Sequence, residues 1–155
     1  PAPRPLYAGV YSRTSDVIAA DPRPVRVLNL PFGVRDGTSS AGSFSARSQF
    51  EQTRHGKELI GGYLSRISPR RLSAMLDAHP ELRPLLVLSE GRELAPDDQR
   101  AFVETGPSLI ERADVGYVVV DTTRASEALV RLAVEAFRLE PVMADGPLTL
   151  FRPRR

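Results

Sequence analysis

The residues with the clearest potential for chemistry lie in two stretches, residues 29–37 (NLPFGVRDG) and residues 55–66 (HGKELIGGYLSR). In the second stretch, His55 could act as a general base or donate a hydrogen bond to an anion. In the first, Asp36 supplies a carboxylate on an Asp-Gly pair. Structural histidines and plain Asp-Gly turns are the more common uses of these residue types. The sequence therefore allows both a catalytic use of His55 and Asp36 and a purely structural one.

Further polar residues collect in the same loop-rich part of the chain, which follows the first predicted strand. Ligands of open α/β sheets bind at the carboxyl ends of strands, and glycine lets the backbone approach a ligand closely. The candidate binding residues are Arg35, Asp36, Gln52, His55, Lys57 and Arg66. The loop glycines that accompany them are Gly37, Gly56, Gly61 and Gly62. Glycine turns supported by local salt bridges explain the same pattern without a ligand, and this alternative stays open.

The sequence predicts no metal, no cofactor and no complete catalytic constellation. Its two histidines, His55 and His79, have no partner at a metal-ligand spacing, and the chain has no cysteine. The glycines follow neither the order of a dinucleotide-binding fingerprint nor that of a P-loop. The formal net charge of +2 is too small to indicate a nucleic-acid partner.

Length and composition predict one globular domain. The chain has 155 residues, of which 41% are apolar and 26% are charged. Its longest apolar runs, residues 85–88 and 115–120, are much shorter than the ~20 residues that cross a bilayer. We therefore expect a soluble chain.

The first elements that must position the polar residues are a strand and a short helix. Residues 25–30 (VRVLNL) predict a strand that Pro31 stops, so that its carboxyl end leads into the RDG loop. Residues 46–55 predict a helix that Gly56 ends.

Two further helices are predicted in the middle of the chain. Ser68 is a suitable N-cap for the first, and Pro80 stops it. The second begins near residue 96 with acidic residues in its first turn, and Gly106-Pro107 breaks it before a final turn ends near Asp114.

The last third of the chain has the strongest pattern. Residues 116–122 predict a strand buried on both faces, and a helix follows in which Leu129, Ala133 and Phe137 share one stripe. A closing hairpin with its turn near Gly146 completes the chain. We therefore predict a single small α/β domain over residues 25–155, with a mixed sheet of about four strands, flanking helices and a C-terminal β-hairpin. Residues 1–24 are predicted to form a linker or extended lead-in.

Several segments together carry a family resemblance. They are VLNLPFGVRDG, QTRHGKELIGGYLSR, a late GYVVVDTT strand and a closing LTLFRP hairpin. In this order they resemble the soluble C-terminal region of bacterial multi-pass membrane glycosyltransferases of the GT-C type, which use lipid-linked sugars. The resemblance covers the chain from about Val25 onward. Its most specific part is HGKELIGGYLSR.

The resemblance implies an accessory domain on the extracytoplasmic face of the bacterial inner membrane. Its partners would be the membrane-embedded portion of the same polypeptide and, through the candidate binding residues, a polyprenyl-phosphate sugar or a glycan acceptor. In that family the catalytic acidic residue belongs to the membrane portion, so no catalytic role is carried over to this chain. Two alternatives remain: a free-standing small enzyme that uses His55 with Asp36, and a structural protein-interaction module.

Overall fold

The computed structural model describes residues 11–35, 40–43, 45–60, 62–63 and 69–154. The helices in these ranges are α1 (Arg13–Ala20), α2 (Ala46–His55), α3 (Pro69–Ala78), α4 (Leu82–Ser89), α5 (Pro96–Arg112) and α6 (Glu127–Phe137). The strands are β1 (Arg26–Leu30), β2 (Gly33–Arg35), β3 (Ser40–Gly42), β4 (Leu59–Ile60), β5 (Gly62–Tyr63), β6 (Val115–Asp121), β7 (Leu139–Asp145) and β8 (Leu148–Pro153). The fold is mixed α/β, as the sequence predicts.

The main sheet has five strands in the order β4-β1-β6-β8-β7. β1 pairs in parallel with both β4 and β6, whereas β8 pairs antiparallel with β6 and β7. The predicted strand around residues 116–122 is confirmed as β6, and the closing hairpin is confirmed as β7 and β8. The predicted number of about four strands was too low, because β4 has only two residues and such a short strand shows no alternation of apolar and polar residues.

Helices α3 to α6 cover one side of this sheet, which we call the apolar face. Leu28 of β1 and Val118 of β6 point to this face and are fully buried. Phe102 of α5 and Phe137 of α6 pack edge to face there, with their ring centroids 5.4 Å apart. α6 begins where the Ser126 side chain accepts a hydrogen bond from the backbone N–H of Leu129, and its predicted apolar stripe faces the sheet.

Helix α5 runs without a break through Gly106-Pro107. The sequence predicted an interruption there, because a proline inside a helix removes one backbone hydrogen bond. Packing explains the difference. Gly106 lies against the backbone of α6, and a Cβ atom at this position would be only 2.5 Å from the carbonyl oxygen of Ala136. This close approach of α5 and α6 keeps the helix continuous.

Helices α1 and α2 cover the other side of the main sheet, which we call the polar face. Its apolar core is small, and Ile18 of α1 packs there against Val27 of β1 and Leu150 of β8. The prediction of an extended lead-in over residues 1–24 is wrong for α1, which is helical and contributes a fully buried side chain. Ser12 begins this helix by accepting a hydrogen bond from the N–H of Thr14.

A second, three-stranded sheet has the order β3-β2-β5. β2 comes from the first of the two polar stretches, and β5 comes from the second. They pair in parallel, with Val34 opposite Gly62 and Arg35 opposite Tyr63. The two stretches are therefore neighbours in the fold, although the 17 residues 38–54 separate them in the chain.

Candidate functional site

The structure describes part of the predicted site. Of the candidate binding residues, Gln52 and His55 lie on α2, Lys57 follows that helix, and Arg35 ends β2. Gly56 and Gly62 lie at the end of α2 and in β5. Asp36, Gly37, Gly61 and Arg66 lie outside the described residues, so the roles predicted for them stay predictions.

The HGK segment forms a tight connection between α2 and β4. Gly56 adopts a left-handed conformation with φ of 69°, which ends the helix while its N–H bonds to the carbonyl oxygen of Gln52. The Gln52 side-chain amide in turn donates to the carbonyl oxygen of Lys57 at 3.0 Å. The ammonium group of Lys57 donates to the carbonyl oxygens of Asp21 and Arg23, both at 2.6 Å. Gln52 and Lys57 therefore join α2 to the segment between α1 and β1.

His55 is 7% exposed and makes one defined hydrogen bond. Its Nδ1 accepts from the backbone N–H of Lys57 at 3.0 Å, so this nitrogen carries no proton. Burial, together with the positive charge of Lys57, lowers the pKa of His55 to about 4. At neutral pH the ring is uncharged, and its Nδ1 lone pair is already used. This geometry favours a structural histidine over a general base.

Glu51 is a buried carboxylate that the sequence-based prediction missed. Its two oxygens accept hydrogen bonds from the backbone N–H of Ser12, at 3.0 and 3.2 Å, and from the hydroxyl group of Ser15. Its Oε1 lies 3.7 Å from Nε of Arg47, one turn earlier on the same helix. Ser12 and Glu51 are 39 residues apart in the chain, so no local pattern identifies this contact.

Two more acidic residues hold the ends of α1. Asp145 of β7 accepts from the backbone N–H of Arg13 at 2.8 Å, and this bond lowers the pKa of Asp145. At the other end, Asp21 forms a bidentate pair with Arg23, which lowers its pKa, and accepts from the hydroxyl group of Tyr117 at 2.6 Å. Burial, followed by the bond to Asp21, raises the pKa of Tyr117.

A crevice lies at the carboxyl ends of β1 and β6. The chain that leaves β1 continues through β2 and β3 to α2 on the polar face, whereas the chain that leaves β6 forms α6 on the apolar face. The two connections diverge, so these neighbouring strands form a topological switch point, the position where open α/β sheets bind ligands. Sequence reasoning placed the site at the carboxyl end of the first strand, but the contribution of β6 depends on long-range pairing.

Polar side chains line the crevice from several elements. They are Asn29 of β1, Ser45 just before α2, Arg47, Ser48 and Glu51 of α2, Thr14 and Ser15 of α1, Asp121 at the end of β6, and Arg124 after it. Arg124 donates to the hydroxyl oxygen of Ser43 at 2.6 Å and so joins the two diverging loops. Asp121 accepts from the N–H and the hydroxyl group of Thr123. His55 also lines the crevice from α2.

The described ranges contain no group of three or more acidic or histidine side chains that could hold a metal ion. In the same part of the chain, no helix has the length and apolar character needed to cross a membrane. No protein-family model, curated protein or solved structure matches the chain.

Proposed function

We propose that this chain is an accessory domain of a bacterial membrane glycosyltransferase that uses a lipid-linked sugar. It assists recognition of the acceptor or of the lipid-linked sugar and does not catalyse transfer alone. In this proposal its partner is the membrane-embedded portion of the same polypeptide, and it lies on the extracytoplasmic face of the inner membrane. The support for the family is the resemblance of the two polar stretches and the late strand.

The observation that carries the binding role is the crevice at the switch point of β1 and β6. Two neighbouring parallel strands deliver Asn29 and Asp121 to the same edge of the sheet, and Arg124 lies beside them. Such convergence of a few polar groups in a concave site is typical of small-ligand recognition. His55, by contrast, is buried with its Nδ1 occupied, which removes the main support for a free-standing enzyme.

The test uses the full-length enzyme in cells that lack the native gene. We expect Asn29→Ala and Arg124→Gln to lower the amount of glycosylated product at least about tenfold, because each removes a polar group that a ligand in the crevice would contact. The abundance of the protein in membranes should stay unchanged. Arg131→Gln is the matched control, since Arg131 is exposed on α6, away from the crevice. Normal product formation by both crevice variants would contradict the binding role.

The non-catalytic part of the proposal needs a separate measurement. We expect the 155-residue chain to transfer no sugar from a polyprenyl-phosphate sugar to an acceptor glycan. Product formation by this chain alone, followed by mass spectrometry, would show that it contains a catalytic site.

A further inference from the structure

The crevice contains a small cavity, and a second small cavity lies beside it; serine and asparagine side chains line part of each. The first has a volume of about 20 Å³ and is bounded by α1, α2 and the sheet. The second has a volume of about 10 Å³ and lies between α2 and the start of β4. They share the lining residues Asn29, Pro31, Ser45 and Ser48. A cavity of this size holds roughly one water molecule, or one group of similar size.

The polar groups that line these cavities fall into two sets. Thr14, Ser15 and His55 already use their side chains in hydrogen bonds within the fold. Within the part of the chain that the structure describes, the side chains of Asn29 and Ser48 make no hydrogen bond, and neither does that of Ser45. Such neutral donors and acceptors at the base of a cleft gain most from a ligand that offers both a donor and an acceptor.

Among the described residues that line the first cavity, the charges balance: there are two guanidinium groups, Arg47 and Arg124, and two carboxylates, Glu51 and Asp121. Arg47 lies beside Glu51, and Arg124 donates to Ser43. An anion placed here would meet the field of the two carboxylates as well as that of the two cations.

We propose that this pair of cavities binds neighbouring hydroxyl groups of a neutral glycan, with the sugar ring lying at the mouth of the crevice. In terms of the function proposed above, on which this inference rests, the chain recognises the acceptor glycan and not the phosphate-bearing end of the donor. Asn29, Ser45 and Ser48 are the specificity-determining residues, because each of these polar side chains lines both cavities.

The test is a titration of the 155-residue chain followed by NMR of its backbone amides. The probes are the methyl glycosides of glucose, mannose, galactose and arabinose, each compared with inorganic phosphate and with a hexose 1-phosphate. We expect at least one methyl glycoside to give saturable shifts of the Asn29 and Ser48 amides in the millimolar range. Shifts of these amides by the phosphate probes alone, or by none of the probes, would overturn the proposal.

Two substitutions sharpen the titration. Ser48→Val fills the space shared by the cavities, and Ser48→Ala removes the hydroxyl group while it favours the helix. We expect each to weaken glycoside binding at least about tenfold. Ser73→Ala is the matched control, because Ser73 is an exposed helical serine on α3. Unchanged binding by both Ser48 variants, with folded spectra, would overturn the assignment.

Failure of this inference can be distinguished from failure of the proposed function. If crevice variants abolish product formation in cells while no methyl glycoside binds, the accessory function stands and the neutral-glycan assignment fails. If glycosides bind while those variants keep full cellular activity, the accessory role of the crevice fails.

Discussion

The two faces of the main sheet are stabilised in different ways. On the apolar face, α3 to α6 bury a large set of aliphatic and aromatic side chains against β1 and β6. On the polar face, α1 contributes little apolar surface beyond Ile18, and carboxylates hold both of its ends. Apolar burial is non-directional and tolerates few charges, whereas charged hydrogen bonds fix geometry. The apolar face therefore serves as the scaffold, and the polar face forms the crevice.

The largest expected effect tests the apolar face. Val118→Asp places a charge where the side chain is fully buried between β1, β8 and the helices. Burying an unpaired charge costs ~5 kcal/mol or more, which is on the order of the stability of a whole domain. We expect the variant not to fold, as measured by circular dichroism and thermal melting.

The control for this substitution is Val142→Asp, because Val142 is 37% exposed on β7. It should melt cooperatively near the wild-type temperature. A folded Val118→Asp variant would show that burial on the apolar face does not dominate the stability of the domain. The proposed difference between the two faces would then be wrong.

The next effect tests the polar face through its buried histidine. The pKa of His55 is lowered from 6.5 to about 4 in the folded chain, so the unfolded chain binds the proton more tightly. Stability should therefore fall as the pH decreases from about 6.5 to about 4, by at most ~3 kcal/mol. Asp145, at one end of α1, has a pKa that is lowered in the fold. Its contribution to stability is therefore lost only at still lower pH.

The measurement is chemical denaturation at a series of pH values. His55→Asn retains an acceptor near the position of Nδ1 but has no titratable group, so its stability should change less over this window. Ser73→Asn, at an exposed position of α3, is the control and should keep the wild-type slope. Equal slopes in the His55 variant and the wild type would show that this histidine is not the source of the pH dependence.

A smaller change in stability is expected when a buried carboxylate is replaced, and an exposed carboxylate serves for comparison. Glu51→Gln replaces the charged acceptor of Ser12 and Ser15, and hydrogen bonds to charged groups contribute about 1.5–3 kcal/mol, so we expect a loss of ~2 kcal/mol. Glu58→Gln breaks a pair with Arg26 that lies in solvent, and it should cost ~0–1 kcal/mol. Similar losses for the two variants in urea denaturation would remove the distinction between the polar face and the open surface.

The sequence predicted those elements whose causes are local. The apolar run of β6 and the stripe on α6 follow directly from periodicity, and Gly56 marks the end of α2. Two helices were not predicted because prolines obscure them: Pro84 lies in the first turn of α4, where it is tolerated, and prolines flank the α1 region on both sides. The break predicted in α5 was wrong for a tertiary reason, since α6 packs against Gly106.

The candidate site was predictable only in its position along the chain. The carboxyl end of β1 and the HGK segment were identified, but their roles differ: Lys57 and Gln52 bond to backbone carbonyls, while Asn29, Ser48 and Arg124 line the crevice. The missing signal is the pairing of β1 with β6, which joins residues about 90 positions apart. No period or motif in a single sequence contains that information.

The contact between Lys57 and the residues before β1 also allows a chemical measurement of local opening. Lys57 is the single lysine of the 155 residues, and its ammonium group is held by two backbone carbonyls. A reagent that acylates primary amines reacts with the neutral, freely accessible amine, so its rate at this residue depends on how often those two bonds open. The chain thus carries its own chemical reporter of how often the segment after α2 separates from the connection between α1 and β1, readable by mass spectrometry of one peptide without any engineered label.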